Sequence, residues 1–310
     1  MVEGAALEKR YTLTGIVGSN PTLSANVWIK KNHITSPSMK TFVKNVVAGG
    51  VLTLLLAACT QTAPVSPQPN GEKKNADAIS SQENKNIHTE MVPYYGSTEG
   101  FLAQPIGNGE YPGIVMIHEW WGLNENIKAM AEKLAQEGYI VLAVDLYNGK
   151  VGATAEEARK LTGSIDQEES VRNLRAAVSY LRNHDASKIA SLGWCFGGGK
   201  SLQLALSGEK LAATVIYYGQ LETDKEKLSA INWPVLGIFG ADDTSIPVDS
   251  VEKFQTALNE ENIENSITIY PGVGHAFANP SGANYAPDET LDAWVKTLTF
   301  LKENLKDEEN

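Results

Sequence analysis

Ser191-Leu192-Gly193-Trp194-Cys195-Phe196-Gly197-Gly198 is the stretch that decides the fold. Lys188 to Leu192 leads into it with the composition of a strand, and Gly198 to Leu206 leaves it with the spacing of a helix. Glycines two before and two after the central residue permit a sharp strand-to-helix turn, which lifts the central side chain above a sheet. Serine is the usual occupant of that position, and here it is Cys195. The turn also sets the thiol at a helix N-terminus, an environment that favours the thiolate. Taken alone, Gly-x-Cys-x-Gly describes a buried structural cysteine equally well. Its place between strand and helix favours a nucleophile.

Working outward, strands and helices alternate. Ile114 to Ile117 is an apolar run of the kind buried on both faces of a sheet, and Ile140 to Val144, Ala213 to Tyr218, Val235 to Phe239 and Ser266 to Tyr270 read as further strands. Between and after them, 124–137, 155–161, 168–182, 248–259 and 284–305 carry helical periodicity. This order predicts an α/β fold with a mainly parallel sheet and helices on both faces, occupying residues 87–310 as one domain.

In such folds chemistry sits at the carboxyl ends of strands. Gly240-Ala241-Asp242-Asp243-Thr244-Ser245-Ile246-Pro247 follows one strand and offers a carboxylate to orient a histidine, although aspartate at such a turn is also a common helix cap. Pro271-Gly272-Val273-Gly274-His275 follows the next strand. Nucleophile, acid and histidine, each after its own strand, is the chain order of the α/β-hydrolase triad. A fourth end, His118-Glu119-Trp120-Trp121-Gly122-Leu123-Asn124, occupies the loop that supplies an oxyanion-hole amide in that fold. It lacks the second histidine of H-E-x-x-H, since residue 122 is Gly, so no metal site is expected there and His118 reads as structural.

His-Glu-Trp-Trp-Gly-Leu-Asn, Gly-Trp-Cys-Phe-Gly-Gly, Gly-Ala-Asp-Asp-Thr-Ser-Ile-Pro and Gly-Val-Gly-His-Ala-Phe together resemble the dienelactone hydrolases over roughly residues 87–308. The resemblance implies an α/β-hydrolase fold and a Cys–Asp–His triad that attacks an ester or lactone carbonyl without a cofactor. Cys195 matches the nucleophile and His275 the base; the family spacing selects Asp243 over Asp242 as the acid. Glu119 matches a glutamate that pairs with the resting nucleophile, and the oxyanion-hole amides are those of Trp120 and Phe196. One family arginine that holds a substrate carboxylate is replaced by Asn279, and neither Arg159 nor Arg172 aligns clearly with the other. The expected partner is therefore a small ester or lactone whose identity stays open. The alternative is an inactive hydrolase-fold binding lipoprotein. A redox thiol is disfavoured, because the other cysteine, Cys59, is expected to carry lipid.

Lys40 and Lys44, the uncharged run Val46 to Ala58 and the box Leu56-Ala57-Ala58-Cys59 resemble a bacterial lipoprotein signal over residues 39–58, lipidated on Cys59. Val46 to Ala58 is too short to span a bilayer comfortably. Residues 59–86, rich in Pro, Ser, Asn and Gln, read as a flexible tether. Met39 is placed as an initiator, which makes residues 1–38 a non-native upstream extension; codons for Gly18-Ser19-Asn20-Pro21 can spell the T-loop of a tRNA gene. The expected location is the cell envelope, on the outer membrane in a Gram-negative cell. Net charge is -11, and removing 1–58 leaves -15, so a nucleic-acid backbone is not an expected partner. Two cysteines exclude a disulfide scaffold.

Overall fold

The computed structural model describes residues 86–306. The expected extension, signal and lipid site at 1–38, 39–58 and Cys59 lie outside them, as does all of the 59–86 tether but Asn86. Among the described residues the strands are β1 (Ile87–Tyr95), β2 (Thr98–Pro105), β3 (Gly113–Ile117), β4 (Ile140–Val144), β5 (Ile189–Trp194), β6 (Ala213–Tyr217), β7 (Val235–Gly240) and β8 (Asn265–Tyr270). The helices are α1 (Glu125–Gln136), α2 (Ala155–Gly163), α3 (Gln167–Asn183), α4 (Phe196–Leu206), α5 (Lys225–Leu228), α6 (Val248–Glu260) and α7 (Pro287–Leu305).

One eight-stranded sheet runs in the order β1-β2-β4-β3-β5-β6-β7-β8. From β4 to β8 every pairing is parallel, while β1–β2 and β2–β4 are antiparallel. Side chains alternate across each central strand. Ile114 and Met116 join α1 and α7 in one core with Leu134, Phe300 and Leu301. Val115 and Ile117 face α3 through Leu174, Val178 and Leu181. Ile216 and Phe239 pack with Leu202 of α4 and Phe254 of α6. This two-sided burial makes β3, β4 and β7 unbroken apolar runs, while β5 and β6 are each interrupted by a single buried hydroxyl residue, Ser191 and Thr214.

Several elements depart from the sequence reading. β1 carries no continuous apolar run, because it is mostly exposed along its length, and β2 buries only the short stretch Gly100 to Ala103 between polar ends. α4 begins at Phe196, directly after the nucleophile candidate, and not at Gly198. α7 begins at Pro287 and not at 284, with the proline at a first-turn position where its missing N–H costs nothing. α5, at four residues, is too short to show a period.

Candidate active site

Cys195 stands between β5 and α4 with φ 54° and ψ -116°, a strained backbone for a residue with a Cβ. Its amide donates to Tyr217 O at 3.0 Å, and its carbonyl accepts from Gly199 N, which fastens the turn to the end of β6. The glycines around it are required by close approach. A Cβ on Gly193 would lie 2.2 Å from Gly197 O, and one on Gly197 would lie 2.3 Å from Ile117 O.

His275 and Asp243 come from the turns after β8 and β7. His275 Nε2 lies 3.0 Å from Cys195 Sγ. Its Nδ1–H donates to Asp243 Oδ2 at 2.8 Å. The other Asp243 oxygen accepts from Ser245 N at 2.8 Å and Ile246 N at 3.0 Å, so the carboxylate is fixed in orientation. Burial works against the charged form of His275, but the Asp243 hydrogen bond and the contact with Cys195 outweigh it and hold the imidazolium up to about 10. Burial likewise opposes the Asp243 anion; the His275 bond and two backbone amides overcome it and keep the carboxyl below its ordinary value.

Glu119 is buried in the loop after β3. Its Oε2 accepts from Asn279 Nδ2 at 2.5 Å. Among the described residues this bond, and not one to Cys195, is the side-chain hydrogen bond that Glu119 makes. Burial pushes its carboxyl up to about 7, against the opposing pull of His275 and Asn279. Asn279 is held in turn: its Oδ1 accepts from Ser281 N at 2.9 Å and, more weakly, from Asn126 at 3.4 Å. The position that carries a substrate-binding arginine in the family pattern is here part of the support for Glu119.

His118 is fully buried beside the same loop. Its Nδ1–H donates to Glu119 O at 2.6 Å and its Nε2 accepts from Leu146 N at 3.2 Å, so the ring is a neutral brace. Burial holds its pKa below the ordinary value. Tyr147 OH donates to Trp120 O at 3.1 Å, a second brace on the loop. The Trp120 and Phe196 amides find no backbone acceptor among the described residues outside regular helix and strand pairing; Phe196, as the first residue of α4, has none one turn back. Of the two arginines considered for substrate, Arg172 is an exposed partner of Glu168 and Glu169, and Arg159 is exposed on α2.

Tyr218, at the end of β6, was not singled out by the sequence. Its ring stands edge-on to His275 at 5.3 Å and to Phe277 at 5.6 Å, on a backbone with φ 35°. Tyr217-Tyr218-Gly219 is itself a strand end, and scrutiny of every strand end would have reached it.

Residues 98–305 match the model of the dienelactone hydrolase family. The chain belongs to that family. A provisionally named carboxymethylenebutenolidase of Synechocystis sp. is 30% identical over 227 residues, covering 67% of this chain and 92% of its own. Protein usf of Aquifex pyrophilus is 32% identical over 219 residues, 66% of this chain and 93% of its own. Among solved structures, a dienelactone hydrolase-like promiscuous phosphotriesterase from metagenomic libraries superposes with a TM-score of 0.65 at 25% identity, covering 71% of this chain and 99% of that one. The dienelactone hydrolase family member described here is thus an α/β-hydrolase-fold hydrolase, whose sheet and helices follow that fold along nearly all of residues 86–306.

Proposed function

We propose that this family member hydrolyses a carboxylic ester or lactone through Cys195, His275 and Asp243. The observation that carries the reading is the continuous chain from Cys195 Sγ to His275 Nε2 at 3.0 Å and from His275 Nδ1 to Asp243 Oδ2 at 2.8 Å. His275 holds the thiol proton, and the sulfur bonds to the carbonyl carbon while the carbonyl π electrons move to oxygen. The Trp120 and Phe196 amides receive that oxyanion; one such donor typically contributes roughly 3–4 kcal/mol. When the tetrahedral species collapses, the C–O bond breaks and the departing alkoxide takes the proton from Nε2, leaving a thioester. Water, giving a proton to Nε2, adds to the thioester; the C–S bond breaks, the thiolate is restored, and the acid leaves. With a lactone the alkoxide stays attached, and the product is a hydroxy acid. Asp243 keeps the Nδ1–H tautomer and stabilises the imidazolium. Glu119 supports the site as a buried carboxyl whose charge His275 feels.

Turnover of p-nitrophenyl acetate by the purified protein tests this. Cys195→Ala should abolish it in a protein that still unfolds cooperatively. Turnover that survives Cys195→Ala overturns the mechanism, and none in the wild type favours a binding protein. The enzyme's place is a separate part of the proposal: the Leu56-Ala57-Ala58-Cys59 box supports a lipid-anchored protein of the bacterial envelope, on the outer membrane in a Gram-negative cell.

A further inference from the structure

A small cavity of about 80 Å³ is lined by Glu119, Asn126, Met130, Trp194, Tyr218 and Asn279 among others; it neighbours the triad through Tyr218, whose ring stands 5.3 Å from that of His275, and Trp194, which precedes Cys195. It has room for a short substituent and not for a whole substrate. The Tyr218 hydroxyl is buried and has no hydrogen-bond partner. The Ala278 amide approaches the phenol oxygen, but an amide N–H is a donor and cannot take the phenol proton. A buried donor with no acceptor is destabilising, so a molecule that supplies the acceptor gains by it. On the same cavity, Glu119 uses Oε2 for Asn279, and Oε1 has no partner among the described residues.

We propose that this cavity is a subsite for a hydroxyl group of the substrate, which accepts from Tyr218 and donates to Glu119. A hydroxyl does both at once; a carbonyl only accepts, an ammonium only donates, and a carboxylate meets the charge of Glu119. Met130, an unbranched and adaptable side chain, lines the same cavity. Lys133 also borders the cavity, but it is exposed and solvated. The hydroxyl sits on either the acyl or the alcohol half of the ester. The inference rests on the hydrolase reading of Cys195.

The test measures kcat/KM for five esters: methyl 3-hydroxybutyrate against methyl butyrate, 3-hydroxypropyl acetate against propyl acetate, and monomethyl succinate. One hydroxylated ester should exceed its hydroxyl-free counterpart by about tenfold or more, which also tells the acyl half from the alcohol half. In Tyr218→Phe that ratio should fall to within about threefold of one. Ratios near one in the wild type, a ratio that Tyr218→Phe leaves intact, or a preference for the succinate ester would overturn the subsite while leaving Cys195 as nucleophile. If none of the five is hydrolysed while p-nitrophenyl acetate is, the subsite alone fails; if p-nitrophenyl acetate is not hydrolysed in a Cys195-dependent way either, the hydrolase reading fails, and the subsite with it.

Discussion

Two adjacent aspartates follow β7, and they differ in surroundings. Asp243 is buried and bonded to His275, whereas Asp242 is exposed and bonds through its backbone to Val273 O. Asp243→Asn should lower kcat by about 10⁴, the cost of the wrong histidine tautomer in a comparable triad. Asp242→Asn should change it little, and steady-state kinetics of the two variants decide between them. Glu119 gives a second expectation. Its folded pKa of about 7 lies above the ordinary carboxyl value, so its neutral form adds stability that is fully present below about pH 4.5 and lost as pH rises through 7. Glu119→Gln removes that loss. Relative to wild type, the variant should therefore gain about 3 kcal/mol between pH 4.5 and pH 8 in urea unfolding. Cys195, Asp243 and His275 were visible in the sequence because each sits in a short motif at a strand end. The Asn279–Glu119 bond was not, since it joins loops 160 residues apart.

At the scale of elements, the turn around Cys195 works because three backbones meet without side chains between them. Gly197→Ala puts a methyl 2.3 Å from Ile117 O, backbone that cannot step aside. Overpacking of this kind costs about 1–3 kcal/mol or more, and because the displaced residue is the neighbour of Phe196, activity should fall by at least about 100-fold, the typical loss when one oxyanion donor is misplaced. Gly163→Ala, where a Cβ meets open space, is the matched control and should leave both stability and rate near wild type. The central parallel strands were legible because burial on both faces keeps most polar residues out of them. β1 was not, because this edge strand faces water and its composition follows solvent and not a core, and β2 was not, because its buried stretch is only four residues long. The sequence places the start of α4 two residues late because Gly197 and Gly198 are poor helix formers, held helical here by the space they leave.

For the whole molecule, the proposal of a lipid anchor predicts a mature N-terminus at Cys59 carrying acyl chains, checked by intact mass of the membrane fraction; Cys59→Ser should leave the precursor unprocessed. A start upstream of Cys59 would remove the envelope location while leaving the hydrolase domain as described. The order of strands has a further consequence, one of timing. From β5 outward the sheet reads β5, β6, β7, β8, the same order in which a ribosome makes them. Each new strand finds its partner already finished, so the sheet can grow by accretion at one edge during synthesis. Cys195 is laid down first, Asp243 next and His275 last, and α7, which covers the core behind them, comes later still. A nascent chain therefore holds Cys195 without His275 beside it until nearly the whole domain has emerged.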